Sequence, residues 1–169
     1  TPNTTMGGLH YFLRNANTWN LNGIKFNERN LIEYAEEAGK YGKGGRAGSR
    51  TKWFVCGSRY STEMSSWGID KMQTVPKVEV LGADVSKFIT PHLTIMVAVH
   101  PLFEGAHADK AFLLDFNHLR YVHFTGGDTK LLRDRGGNGI DGQTHEWLSD
   151  VSIEVQLAYA HGYIEGISL

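Results

Sequence analysis

The stretch Trp147-Leu148-Ser149-Asp150-Val151-Ser152-Ile153-Glu154-Val155-Gln156-Leu157 decides how this chain is read. Trp147, Val151, Ile153, Val155 and Leu157 fall on one side of a period of two, and Leu148, Asp150, Ser152, Glu154 and Gln156 on the other. That alternation predicts a β-strand with one apolar and one mostly polar face. A strand of about eleven residues is long against the usual ~5–6. A long, half-exposed strand needs a helix or a neighbouring chain over one side.

Working outward, His161-Gly162 reads as a turn and Tyr163 to Ile167 as a closing strand. Upstream the pattern is also mainly β. Val78–Leu81, His92–His100, Ala111–Leu114 and Leu119–Phe124 are strand candidates, and the near-continuous apolar run in the second predicts burial on both faces. Between Phe124 and the long ribbon lies a Gly-rich stretch, Gly126 to Gly142, read as a polar loop.

The N-terminal third is more helical. Thr1 to Gly8 reads as a lead-in, and Leu9, Phe12, Leu13 and Ala16 recur at helical spacing. Ile24-Lys25-Phe26 reads as a strand or a docking segment. Asn27 is placed to cap a helix over Glu28 to Ala38, with Leu31, Tyr34, Ala35 and Ala38 on one face and Gly39 as its stop. Gly39 to Arg50 then alternates glycines with Lys40, Lys43, Arg46 and Arg50, which predicts a basic surface loop. Trp53 to Cys56 reads as a buried strand, and Ser58 as the cap of a helix carrying Tyr60, Met64 and Trp67.

Composition narrows the function. At 169 residues, with 41% hydrophobic and 21% charged residues, the chain can bury a real core and is not generally disordered. Seventeen Lys and Arg against eighteen Asp and Glu give a net charge of -1, which argues against a nucleic-acid binder held by bulk charge. A single cysteine, Cys56, excludes an intrachain disulfide framework and a Cys-rich zinc site. No apolar run reaches the ~20 residues of a membrane-spanning helix. Thr1-Pro2-Asn3-Thr4-Thr5 does not resemble a signal peptide, and a start without Met reads as processing or as a piece of something longer.

Candidate chemistry is thin. His92, His100, His107, His118 and His123 lie within about thirty residues, but contain neither a His-x-His pair nor a His-Glu-x-x-His helix. Asp134 to His145 resembles a calcium loop only superficially: Gly136 stands where an oxygen ligand belongs, and His145 stands where the closing Glu belongs. The glycines between residues 39 and 50 do not form a P-loop and follow a helix rather than precede one. There is no Gly-x-Ser-x-Gly elbow, and Cys56 sits in an apolar strand as an inert thiol. Asp109 with Asp115, or Glu146 with Asp150, stand out in no way from ordinary strand-end and surface carboxylates. The residues alone predict no enzyme, no cofactor and no metal.

Four runs, in this order, carry a resemblance: Phe112-Leu-Leu-Asp-Phe-Asn-His-Leu-Arg-Tyr-Val122, Thr125-Gly-Gly-Asp-Thr-Lys-Leu-Leu132, Trp147 to Leu157, and Ala160-His-Gly-Tyr-Ile-Glu-Gly-Ile167. Together they resemble the end of tailed-bacteriophage major capsid proteins. Gly7-Gly8-Leu9 before a short helix, and the helix-loop-strand leading to Cys56, resemble the middle of that family.

The resemblance implies an α+β chain of the Hong Kong 97 (HK97-like) capsid fold. Residues 1–20 would be a lead-in with a short helix. Residues 21–107 would form an axial domain, a sheet with flanking helices. Residues 108–169 would supply long strands of a peripheral domain, interrupted by the Gly-rich loop at 126–142. It further implies that the chain corresponds to the C-terminal part of a longer subunit, the long ribbon packing on a spine helix that precedes this sequence. The lysine–asparagine crosslink of some relatives does not carry over, because the loop that supplies the lysine has no counterpart in this sequence.

The implied function is structural: subunits self-assemble into the icosahedral shell around phage double-stranded DNA, in the virion and, during assembly, in the host cytoplasm. The implied partners are copies of the chain itself, capsid accessory or decoration proteins, and DNA through non-specific contact only. Lys40, Lys43, Arg46, Arg50, Asp128, Arg133, Asp134 and Arg135 are the expected inter-subunit contacts, with pairing of the basic loop to Glu36 and Glu37 of its own chain as the local alternative. Two other function classes stay open at this level. One is a metal-dependent β-rich enzyme using His92, His100, His107 and His118. The other is a non-catalytic phage binding module.

Overall fold

A computed structural model of the chain describes residues 8–40, 50–67, 78–80, 83–133, 142 and 145–168. The order of elements is α1 (Leu9–Leu13), β1 (Asn17–Asn20), α2 (Glu28–Lys40), β2 (Thr51–Cys56), α3 (Ser58–Ser66), β3 (Val78–Val80), β4 (Ala83–Ile89), β5 (Thr94–Val99), β6 (Ala111–Leu114), β7 (Leu119–His123), β8 (Lys130–Leu132), β9 (Glu146–Leu148), β10 (Val151–Val155) and β11 (Gly162–Glu165). Seven strands form one mixed sheet in the order β1-β11-β6-β2-β5-β4-β3. The pairs β1–β11 and β2–β5 are parallel, and the other four are antiparallel. The fold is α+β, and the sheet takes strands from both sides of residue 107. β7 with β10, and β8 with β9, form two separate antiparallel ladders.

Both faces of the sheet are covered. Alternation places Phe54, Cys56, Ala111, Leu113 and Ile164 toward α2 and α3, where they join Leu31, Ala35, Tyr60 and Met64 in the main core. Leu114 and Tyr163 point the other way, onto Leu13 of α1. β5, flanked on both sides by strands, buries Ile95 and Val97 and half-buries the alternate residues.

The helix over 28–38 forms as its pattern predicts, capped by the Asn27 side chain, which accepts from the Asn30 amide at 2.9 Å. Gly39 does not stop it. The helix continues to Lys40, and a Cβ at Gly39 would stand 3.3 Å from Leu93 Cδ2, so this glycine serves a close approach. Ile24-Lys25-Phe26 makes no strand. Phe26 instead docks among the rings of Phe54, Tyr60 and Trp67, with centroids 5.2–5.8 Å away. Gly57, and not Ser58, is the N-cap of α3.

The principal departure concerns the long ribbon. Trp147 to Leu157 is two short strands, Glu146–Leu148 and Val151–Val155, joined at Ser149-Asp150. Periodicity survives a change of partner, so the sequence pattern could not display the break. β9 pairs with β8, which lies inside the stretch read as a Gly-rich loop, and β10 pairs with β7. Leu157 is no strand residue: at φ +47° it is left-handed and precedes a 3₁₀ turn at Ala158–Ala160. β1 and β4 were not anticipated. β1, Asn-Thr-Trp-Asn, has too little apolar character to announce itself, and it is recruited by its parallel partner β11.

Candidate assembly surface

The two ladders and the turn between them carry a group of exposed apolar side chains. Tyr121, Phe124 and Trp147 are 59%, 80% and 72% exposed, and Leu131 and Leu148 are exposed beside them. Isolated two-stranded ribbons bury little and need something to pack against. The ladders meet at one turn. The Gly127 amide donates to the Phe124 carbonyl at 2.7 Å, the Asp150 amide to the Gly127 carbonyl at 2.7 Å, and the Phe124 amide to the Asp150 carbonyl at 3.2 Å. A Cβ on Gly127 would lie 3.0 Å from Phe124 Cβ and 3.1 Å from Asp150 Cβ, so a side chain there would press on both neighbours. Next to it, Asp128 Oδ1 accepts from the Thr129 amide at 2.8 Å and from the Tyr121 hydroxyl at 2.9 Å. Those two bonds, the amide first, hold the Asp128 carboxyl below its ordinary range.

At the other end of the described β10–β11 segment sits a buried polar cluster. Lys52 lies on the core-facing side of β2 and is 2% exposed; Asp115 follows β6 and is 1% exposed. Trp53 pairs with Leu114, which sets Lys52 and Asp115 side by side, with Nζ and Oδ2 3.6 Å apart. Lys52 Nζ also donates to the Ala160 carbonyl at 2.5 Å. Asp115 Oδ1 accepts from the Asn117 amide and side chain, both at 3.1 Å, and so caps the 3₁₀ turn Phe116–His118.

His161 is fully buried. Its Nδ1 accepts from the Asp115 amide at 3.1 Å, which leaves Nε2–H to donate to the Gln156 carbonyl at 3.2 Å. The ring is therefore held neutral, and burial pushes its pKa down to about 4. Asn17 completes the cluster, donating to the Tyr159 and His161 carbonyls at 2.6 and 3.1 Å. These bonds fix the turn after Leu157, between β10 and β11.

Among the described residues the arrangement has no reaction centre: one side is a pinned polar hinge, and the other an open ribbon surface. A family model described as the SU10 major capsid protein matches residues 1–168. The chain belongs to the SU10 major capsid protein family. It is a structural subunit of a phage capsid, located in the virion and assembling with copies of itself, and it is not an enzyme. No curated protein matches the chain.

The runs that carried the resemblance now have physical roles in this capsid subunit. In Leu113-Leu114-Asp115, the two leucines face opposite cores and the aspartate anchors Lys52. In Gly127-Asp128-Thr129, the glycine closes the inter-ladder turn and the aspartate caps it. In Ala160-His161-Gly162, the alanine carbonyl receives Lys52 and the histidine is locked. Gly162 leaves room for Trp19: a Cβ there would overlap the indole ring.

The residues expected to contact other subunits fall as follows. Lys40 is exposed at the end of α2 and its ammonium stands 3.9 Å from Glu36 of its own helix. Glu37 receives the Trp19 indole N–H at 2.8 Å. Arg50 is exposed just before β2, and its carbonyl accepts from the Thr94 amide. Asp128 is at the inter-ladder turn and Arg133 is exposed just past β8. Lys43, Arg46, Asp134 and Arg135 lie outside the described residues.

The histidines do not converge. His100 Nδ1 accepts from the Leu102 amide, and His107 Nδ1 accepts from Lys110 Nζ at 3.1 Å. His118 Nδ1 stands 4.0 Å from Asp115 Oδ2. Among the described residues no three His, Cys, Asp or Glu side chains are grouped to hold a metal ion. Cys56 is buried in the core, which pushes its thiol up to about 12. No helix among the described residues is long and apolar enough to cross a membrane.

Sequence reasoning passed over Lys52, Asp115 and His161. Asp115 reads there as an ordinary strand-end carboxylate and His161 as part of a turn, but both are buried. A usable signal existed: Lys52 shares the period-two face of Phe54 and Cys56, so an inward lysine required a buried acceptor.

Proposed function

We propose that this capsid subunit has the Hong Kong 97-type arrangement and corresponds to its C-terminal part. Residues 21–107, with β6 and β11 completing their sheet, form the axial domain. The ladders within 108–169 are peripheral strands that meet neighbours in an icosahedral shell around double-stranded DNA. The observation that carries this reading is the exposure of Tyr121, Phe124 and Trp147 on two ladders that stand outside the seven-stranded sheet, with the turn after β10 pinned by the Lys52–Asp115–His161 cluster. Many weak contacts multiplied by copy number close a shell without any one of them being strong. A net charge of -1 suits identical copies packed side by side.

In this reading Lys40, Lys43, Arg46 and Arg50 of one copy approach the acidic turn with Asp128 and Asp134 on the next. Arg133 and Arg135 border that contact. Accessory or decoration proteins sit on the outer surface, and DNA is touched non-specifically. Electron microscopy of the purified full-length product tests the proposal: closed, regular shells are expected, and tubes or lone monomers would overturn it.

A further inference from the structure

Two segments join the β7–β10 ladder to the sheet. The 3₁₀ turn Phe116–His118 leads from β6 into β7, and residues 156–161 lead from β10 into β11. They are tied to each other and to one ring. The Gln156 amide donates to the His118 carbonyl at 2.8 Å. The His161 ring bridges the two segments: Nδ1 accepts from the Asp115 amide at 3.1 Å, and Nε2 donates to the Gln156 carbonyl at 3.2 Å. A backbone amide is a fixed donor, so the bridge exists only while Nδ1 keeps its lone pair.

A proton on Nδ1 sets two donors face to face at 3.1 Å. The ring is fully buried, so the lost bond leaves both donors unpaired unless the segment moves. Burial itself opposes a charge on the ring most strongly. Among the described residues the Gln156 carbonyl and Asp115, at the end of β6, favour that charge, while Lys52 from β2 and His118 from the 3₁₀ turn oppose it. β1 brings the uncharged Asn17. Asp115 is already engaged: its Oδ2 stands 3.6 Å from Lys52 Nζ, and its Oδ1 accepts both Asn117 bonds. His118 is a second claimant. Its Nδ1 is buried, finds no hydrogen-bond partner among the described residues, and lies 4.0 Å from Asp115 Oδ2. An imidazolium at residue 118 would draw the same carboxylate away from His161.

We propose that His161 is an acid-operated catch: when its ring takes a proton, residues 156–161 and the Asp115–His118 turn open together while the seven-stranded sheet stays closed. The sheet does not hang on the ring, because β2 is held by its ladders to β5 and β6 and by the main apolar core. Leu119 and Val155 stay packed on the second core, which confines the opening to the joint. The device belongs to the single subunit and does not depend on how copies meet.

Hydrogen exchange of the full-length unassembled subunit in low urea, read by mass spectrometry, tests this. Peptides covering 115–118 and 156–161 should exchange at rates that barely respond to sub-denaturing urea, the mark of an opening that exposes little surface. Corrected for intrinsic exchange chemistry, those rates should rise roughly forty-fold from pH 6.5 to pH 4.5, the ratio given by a ring pKa of 6.5 when open and about 4 when closed. His161→Gln should remove most of the rise, and His118→Gln should keep it.

Exchange of 156–161 with the same urea slope as β2 and β5 would mean that nothing opens short of global unfolding, and would overturn the proposal. So would rates that do not rise in acid, a rise that survives in His161→Gln, or one that vanishes in His118→Gln. Should His161→Gln fail to fold, the urea slope of the parent and the His118→Gln variant still decide.

Discussion

Acid should weaken the unassembled subunit through His161, and the size of the effect follows from its surroundings. The ring is neutral and buried in the folded chain, with a pKa lowered from 6.5 to about 4 by desolvation, which the Gln156 carbonyl opposes. The folded value is the depressed one, so the unfolded chain takes up a proton first as pH falls. The associated stability is fully present above about pH 6.5 and drains as pH drops toward 4. Between pH 7 and pH 5 the two pKa values give a loss of about 2 kcal/mol, with a slope approaching 1.4 kcal/mol per pH unit.

The perturbation is His161→Gln, which can keep the donor to Gln156 and has no titrating ring. The assay is urea unfolding followed by circular dichroism at steps from pH 7.5 to 4.5. The variant should be less stable at pH 7 and should lose about 2 kcal/mol less than the parent on moving to pH 5, the other carboxylates and histidines cancelling in the difference. A gap between the two proteins that stays constant with pH would refute the reasoning.

Three further outcomes follow from the same packing. Gly162→Ala should cost about 1–3 kcal/mol in chemical denaturation, because the new methyl meets a Trp19 ring held by stacking on Tyr34 at 4.3 Å and by its bond to Glu37. Asp115→Asn should cost about 3–5 kcal/mol by leaving the Lys52 ammonium buried without its counter-charge, and adding Lys52→Met should restore part of that loss in a double-mutant cycle. If Lys43 and Arg46 meet an acidic turn on the next copy, the double reversal Lys43→Glu with Arg46→Glu should slow assembly at low salt. The deficit should shrink as salt shortens the screening length, and light scattering would follow both.

The legible parts of the fold were those governed by local rules. Asn27 with Leu31, Tyr34, Ala35 and Ala38 announces α2, and the apolar run at 94–99 announces a central strand. What escaped depends on partners distant in sequence. β1 exists because β11 is there to pair with it, and Ser149-Asp150 breaks the ribbon because Gly127 and Phe124 capture Asp150. Gly39 looked like a stop because its packing partner, Leu93, is more than fifty residues away. The buried cluster was hidden for the same reason: Lys52, Asp115 and His161 are ordinary letters until cross-strand pairing sets two of them side by side. The order of the C-terminal runs was legible without geometry, and the family match over residues 1–168 bears out the capsid reading they suggested.

Hydroxyl-radical footprinting of free subunits and of purified particles, read by mass spectrometry at Trp147 and Phe124, bears most directly on the claim that copies cover the ladder surface. Both side chains should oxidise readily in the free subunit, where they are 72% and 80% exposed, and should be strongly protected in the particle. Equal oxidation in the two states would mean that no neighbour covers this surface, and would contradict assembly through the ladders.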